Sequence, residues 1–409
     1  MQDFYPPQLN PLLVRVCQLI SPIVGYGYYR MRLQLEPESL QTLRQLRHER
    51  VLFLPNHPTF HDWIAVFLLS AQLQEAFYYL AAYERFQGWE GRFLQAVGAY
   101  SIRRGLGDRT SFAYTVDLLM QPRARLVVFA EGGCSFQNDT VMPFREGAVQ
   151  LAFQAMSRCA KKTGEVPNLY AVPLSLKYRY RGNMQPVLES TFKRLEHHLQ
   201  VPIAATPYDR LRQVAGQVLA SFEREYGLGP AASEDLSWNE RIQRLKTEVL
   251  QGCEQELGLS PPPQSSLRER VYRIQHTLET RANTAEAVER DSFATPKAYR
   301  YAAIHQATYR LLNFNAIYDG YVAANPTPER FLDTLTRLER EVFKIDQPPP
   351  KGQRDVYLKP GEVINLRDYF PQYQAQKSQA IRDLTERLRQ AVQANLDRWA
   401  EQLAPPEES

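Results

Sequence analysis

Hydrophobic positions follow two patterns that divide the chain. Between residues 36 and 190, short apolar runs alternate with amphipathic stretches. Residues 51–55 (VLFLP), 77–82 (FYYLAA), 99–102, 126–130 (LVVFA) and 169–178 (LYAVPLSLKY) read as strands. Residues 62–75, a stretch ending near Val97, 108–120 and 146–162 read as helices. That alternation predicts an α/β fold with a mixed, mostly parallel sheet flanked by helices. From about residue 205 to 345 the strand signal disappears. Residues 235–256, 266–290, 297–323 and 327–344 have helical periodicity, broken by Pro261-Pro262-Pro263 and closed by Pro348-Pro349-Pro350. Thr327-Pro328 supplies an N-cap and a first-turn proline. Strand signal then returns at 355–366 (DVYLKPGEVINL) as strand, turn, strand. A last helix over 375–403 places Ile381, Leu384, Leu388, Val392, Leu396 and Leu403 on one face. No internal repeat is evident.

The N-terminal region carries Leu12, Leu13, Val16, Leu19, Ile20 and Ile23 at helical spacing. Arg15, Gln18 and Pro22 interrupt it, and no apolar run approaches the ~20 residues of a spanning helix. Asp3 and Arg15 also argue against a secretory leader. Two readings remain: a helix docked on its own core, or one lying in a membrane interface.

Composition narrows the classes. The 409 residues are 44% hydrophobic and 23% charged, as in a soluble protein with a large core. Cys17, Cys134, Cys159 and Cys253 have no metal or disulfide-framework spacing, which points to a reducing, cytoplasmic compartment. Residues 1–200 carry 22 Lys and Arg against 16 Asp and Glu, while the remainder is slightly acidic. That imbalance is too mild for nucleic-acid binding, but it suits anionic ligands or an anionic membrane surface.

Three stretches carry chemistry. Asn56-His57-Pro58-Thr59-Phe60-His61-Asp62-Trp63 follows a strand and opens a helix. There a carboxylate can hold one ring nitrogen of a histidine and make the other a better base. Spacing alone does not decide which histidine is paired. His57, His61 and Asp62 could instead ligate a metal, although no third well-spaced ligand accompanies the histidines. Gly98-Ala99-Tyr100-Ser101-Ile102-Arg103-Arg104-Gly105 places two arginines just past a strand. Phe129-Ala130-Glu131-Gly132-Gly133-Cys134-Ser135 follows a buried strand, and Arg145 precedes the next helix. Glycines there permit close backbone approach, and an arginine near a helix start suits phosphate.

In this order the stretches resemble the glycerolipid acyltransferase family, which includes lysophosphatidate and glycerol-3-phosphate acyltransferases of the PlsC type. His57 and Asp62 have the spacing of the family's first block, with Thr59 at its serine position. Gly98, Ile102, Arg103 and Arg104 match the second block; Phe129, Glu131, Gly132 and Ser135 match the third in part; Val172-Pro173 matches the fourth. Gly133 and Cys134 depart from the family's threonine and arginine, and Arg145 stands in for the missing cation.

The resemblance implies acyl transfer from acyl-CoA or acyl-acyl carrier protein to a lysophospholipid such as 1-acyl-sn-glycerol-3-phosphate, at a peripheral membrane surface. It implies no bound cofactor, metal or nucleic acid. His57 would be the general base and Asp62 its partner. Thr59, Arg103, Arg104, Glu131, Gly132, Gly133, Ser135 and Arg145 would bind substrate. Gly361-Glu362-Val363-Ile364 resembles the family's closing strand. The expected layout is then an amphipathic segment at 1–30, a catalytic domain over 31–200, a helical insertion at 201–350, the end of the catalytic domain at 351–403 and a tail at 404–409. A metal-dependent hydrolase using His57, His61 and Asp62, or a non-catalytic lipid-binding relative, are the alternatives.

Overall fold

The computed structural model describes residues 3–104, 107–229, 236–260, 264–286, 296–314 and 318–402. Gly105, Pro261–Pro263, residues 287–290, part of the helix expected over 297–323, Leu403 and the tail lie outside the described residues.

The first part of the chain forms α1 (Pro11–Gly27), β1 (Met31–Leu35), α2 (Pro37–Gln45), β2 (Val51–Pro55), α3 (Asp62–Leu73), β3 (Tyr78–Ala82), α4 (Gly88–Ala96) and β4 (Ala99–Ile102). It continues with α5 (Arg109–Met120), β5 (Arg125–Val127), α6 (Gly147–Thr163) and β6 (Tyr170–Tyr180). Helices follow: α7 (Gln185–Leu199), α8 (Pro207–Glu225), α9 (Trp238–Leu257), α10 (Leu267–Glu286), α11 (Pro296–Phe314), α12 (Tyr321–Ala324) and α13 (Pro328–Phe343). β7 (Arg354–Pro360), β8 (Ile364–Asn365), α14 (Phe370–Ala375) and α15 (Lys377–Gln402) end the described chain.

Two compact units result. The first comprises Met1–Arg103, Asp108–Gly182 and Pro350–Ser409. Its sheet runs β1-β7-β6-β2-β5-β3-β4, with β8 pairing the remaining part of β6. β6, β2, β5, β3 and β4 are mutually parallel. β7 runs antiparallel to β6 and carries β1 parallel to itself. The sheet is therefore mixed and mostly parallel, as the alternating pattern predicts. β1 is an addition that the pattern missed, because MRLQL is only five residues long and lacks a continuous apolar run.

Alternation along β2 supplies both faces of the sheet. Leu52 and Leu54 join a core with residues of α5, α6 and α15, whereas Val51 and Phe53 join one built on α1–α4.

The N-terminal helix departs from the reading that docked its apolar face on the core. Its inward positions are Val14, Gln18, Ser21 and Gly25, and Gln18 Nε2 donates to Ser70 Oγ at 3.1 Å and to the Glu75 carbonyl at 2.8 Å. Leu12, Val16, Leu19, Ile20 and Ile23 face outward, with Leu19 80% and Ile23 76% exposed. Hydrogen-bond partners in α3 and its C-terminal turn hold the polar stripe, so the apolar stripe lies on the surface.

The second unit comprises Arg104–Gly107 and Asn183–Pro349. Its boundary precedes α7, where the sequence pattern placed it at residue 201. It also contains a short recurring device that pattern reading overlooked. α7, α8 and α9 each carry a glutamate in the last turn: Glu196, Glu223 and Glu254. Each next helix opens on Thr206, Ser237 or Ser266, whose side chain accepts from the N–H of an acidic residue three positions on. An arginine follows, and it forks onto the preceding helix's glutamate: Arg210 on Glu196 at 2.6 and 2.8 Å, Arg241 on Glu223 at 2.9 and 2.5 Å, Arg270 on Glu254 at 2.8 and 2.5 Å. The device has four informative positions and recurs about every 30 residues, too sparse to register as self-similarity.

Candidate active site

β2 ends because of its own sequence. Pro55 has no N–H to continue the ladder, and the Asn56 side chain takes over the pairing with β6. Its Nδ2 donates to the Leu176 carbonyl at 3.0 Å, and its Oδ1 accepts from the Leu176 N–H at 2.7 Å. The chain is thus clamped as it leaves the sheet, and His57 projects beyond the carboxyl end of β2. Ligand sites of open α/β sheets form at such strand ends.

His57 Nδ1 lies 2.7 Å from Asp62 Oδ2. Asp62 opens α3, where a helix N-terminus favours a carboxylate, and its side chain is wholly buried. Three further donors satisfy it. The Thr59 N–H reaches Oδ2 at 2.9 Å; Thr59 Oγ1 and the Tyr178 hydroxyl both donate to Oδ1 at 2.7 Å. Burial, then the adjacent Asp62 charge, push the Tyr178 hydroxyl well above its ordinary range, so it remains a donor. Asn138 clamps the Tyr178 backbone at 2.6 and 2.7 Å, as Asn56 does that of Leu176. The structure thereby resolves which histidine pairs with Asp62. The His61 ring meets Tyr29 edge-on at 5.4 Å instead. Among the described residues no three His, Cys, Asp or Glu side chains converge as metal ligands.

The segment after β5 closes over this pair. The strand reading extended to Ala130, but the regular ladder ends at Val127 and Phe129 turns onto His57, with ring centroids 4.4 Å apart. Glu131 is buried; its Oε1 accepts the His57 N–H at 2.6 Å and its Oε2 the Met142 N–H at 3.2 Å. It therefore braces the backbone of the histidine turn. The Ser135 N–H donates to the His57 carbonyl at 2.8 Å. Gly132 has φ +73°, and a Cβ there would stand 2.6 Å from Arg145 Nε, so the turn requires glycine and holds Arg145 beside it. Cys134 places its sulfur 3.5 Å from His57 Nε2 and 3.8 Å from Nδ1. His57, Thr59, Asp62, Glu131, Gly132, Ser135 and Arg145 are thus linked in one neighbourhood, with Gly133 in its connecting turn. Arg103 and Arg104 have other contacts. Arg103 pairs with Asp3 at 3.3 Å and stacks on Tyr83, whereas Arg104 clusters with the helical unit and stacks on Tyr272 at 4.6 Å.

The family model described as Acyltransferase matches residues 36–177. Over those residues, which lie almost wholly in the first unit, the chain matches the acyltransferase family. No curated protein matches the chain. The acyltransferase match includes β2, the His57–Asp62 turn and the segment after β5, and it stops one residue before Tyr178.

Electrostatics in the acyltransferase-matched region favour a charged His57. Burial works against the imidazolium, but the Cys134 sulfur and the Asp62 carboxylate outweigh it, so the pKa is raised well above 6.5. Burial and then Arg354 lower His61 to about 4, which keeps that ring neutral. An NMR titration of labelled histidine is expected to give a midpoint above 6.5 for His57 and a lower one in Cys134→Ala. A wild-type midpoint at or below 6.5 would contradict the arrangement. The shift also sets a sign for stability. With the folded value raised, protonated His57 contributes stability that is complete below the unfolded value of about 6.5 and lost as pH rises through the folded value.

Sequence reading missed Tyr178 and the part played by Cys134. Strand parity carries a signal for the first: Val172, Leu174, Leu176 and Tyr178 share the face of β6 that packs with α3 residues. Cys134 was visible only as a departure from the expected arginine.

Proposed function

We propose that the protein transfers a fatty acyl group from an acyl thioester, acyl-CoA or acyl-acyl carrier protein, to a hydroxyl of a glycerol phosphate or lysophospholipid, with 1-acyl-sn-glycerol-3-phosphate as the preferred acceptor. The observation that carries this reading is the His57–Asp62 pair, held at a strand end within the acyltransferase-family match. In its neutral form, which predominates above the raised pKa, His57 takes the acceptor hydroxyl proton on Nε2 as that oxygen attacks the thioester carbonyl. Asp62 fixes Nδ1–H and stabilises the imidazolium that forms. The tetrahedral oxyanion lies against the Gly132–Gly133 turn and collapses to an ester, and the departing thiolate recovers the proton. Arg145 beside that turn is the first candidate for the acceptor's phosphate; Arg103, in the same unit, is a further cation for it or for the donor.

The test supplies labelled palmitoyl-CoA and palmitoyl-acyl carrier protein to glycerol-3-phosphate, lysophosphatidate and neutral lysolipids. Labelled phosphatidate is the expected main product. Absence of acyl transfer to every acceptor from both donors would overturn the proposal.

Among the described residues no helix is long and apolar enough to cross a membrane. The outward stripe of α1 instead supports peripheral attachment, together with the exposed Trp89 and Tyr28 and the basic bias of residues 1–200. Wild-type protein is expected to float with anionic vesicles, whereas a Leu19→Glu/Ile23→Glu variant stays in the free fraction. Equal flotation of the two would remove α1 from membrane binding.

A further inference from the structure

We infer that Cys134 is a catalytic nucleophile, carrying the acyl group as a thioester between donor and acceptor. The inference rests on the acyltransferase reading and deepens it. Three side chains of the first unit line up in contact: the Cys134 sulfur 3.5 Å from His57 Nε2, and His57 Nδ1 2.7 Å from Asp62. A thiol, an imidazole and an orienting carboxylate in that sequence are the parts of an activated cysteine. Burial grades the series. Asp62 is sealed, His57 is largely covered and Cys134 is partly exposed, so the sulfur is the member that meets substrate. The loop is built for approach: Gly132 turns the chain at φ +73°, and Ser135 ties the following residue back to His57 at 2.8 Å.

The two sulfur–nitrogen distances, 3.5 and 3.8 Å, place the sulfur over the imidazole ring, off the in-plane line from Nε2. In the proposed step the thiol turns onto that line when substrate binds, an adjustment common to catalytic pairs without substrate.

The chemistry balances without a further reactant. Cys134 gives its proton to Nε2, and the thiolate attacks the donor carbonyl. The C–S bond to CoA or to the carrier's thiol breaks, and the departing thiolate takes the proton back from His57. One thioester replaces another. The acceptor hydroxyl then attacks acyl-Cys134 while Nε2 takes its proton; an ester forms, the Cys134 C–S bond breaks, and the proton returns to the sulfur. A thiol at this position also accounts for a departure that otherwise only removes a cation: the family resemblance expects arginine where Cys134 stands.

The experiment incubates full-length protein with palmitoyl-CoA and no acceptor. Intact-mass spectrometry is expected to show one added palmitoyl group, mapped to Cys134, released by neutral hydroxylamine and discharged by lysophosphatidate. Wild type should also exchange labelled CoA into palmitoyl-CoA without acceptor, which detects an intermediate too brief to accumulate. Cys134→Ala should lose the adduct and the exchange and fall at least 100-fold in transfer, and Cys134→Ser, which keeps the side-chain size, should lose the hydroxylamine-sensitive adduct. Circular dichroism checks that both variants fold. Transfer by wild type with neither adduct nor exchange, or transfer by Cys134→Ala within threefold of wild type, overturns the inference and leaves the acyltransferase reading intact. An adduct with no transfer to any acceptor supports Cys134 and overturns the acceptor class. An adduct on another cysteine overturns the inference.

Discussion

Replacing His57 with alanine is expected to lower kcat/KM for acyl transfer by about 10²- to 10⁴-fold while the protein stays folded. The size follows from loss of the group that moves the proton. Stability is spared because the main-chain ties do not use the imidazole. The His57 N–H remains on Glu131 and its carbonyl on the Ser135 N–H. Asp62 loses one contact and keeps both Thr59 donors and the Tyr178 hydroxyl. The Tm should therefore fall by only a few degrees, about 1–2 kcal/mol. Undiminished transfer by a folded His57→Ala protein would end the general-base reading.

Asp62→Ala should do damage of two kinds. Activity falls at least as far as in His57→Ala, because the ring loses both its orientation and its counter-charge. Stability falls as well, by about 3–5 kcal/mol, since the buried Tyr178 hydroxyl and the Thr59 donors lose their acceptor. Calorimetry should register a Tm drop of about 10 °C. Asp62→Asn separates the two effects. With the amide oxygen toward Thr59 N–H and His57 Nδ1, its NH₂ meets two hydroxyl oxygens that can accept. The fold and the His57 tautomer then survive while the charge is gone. The expected result is near-wild-type Tm, reduced kcat, and a His57 titration midpoint below that of wild type. An unchanged midpoint would show that Asp62 does not hold the imidazolium.

The amino-acid pattern disclosed much of this site. The VLFLP run, the His57–Asp62 spacing and the Gly-Gly turn are local, and local geometry was enough to bring them to strand ends. What escaped is non-local. Tyr178 reaches Asp62 across 116 positions, a contact that depends on the β2–β6 register. β1 owes its strand state to β7, since MRLQL alone buries only Met31 fully. The outward face of α1 was ambiguous for a different reason: periodicity reveals that a stripe exists, while the partners of Gln18 outside the helix decide which stripe turns inward.

The pairing of β1 with β7 also sets an order of events during synthesis. Arg32 and its partner Asp355 are separated by 323 positions. At roughly 5–20 residues per second, β1 waits tens of seconds on the ribosome for the strand that holds it in the sheet. The three forked arginine–glutamate pairs that join consecutive helices of the second unit span only 14 to 18 positions, so their contacts form in the meantime. A nascent chain halted before residue 350 carries β6 with one long edge open, the condition in which edge-to-edge association competes with folding.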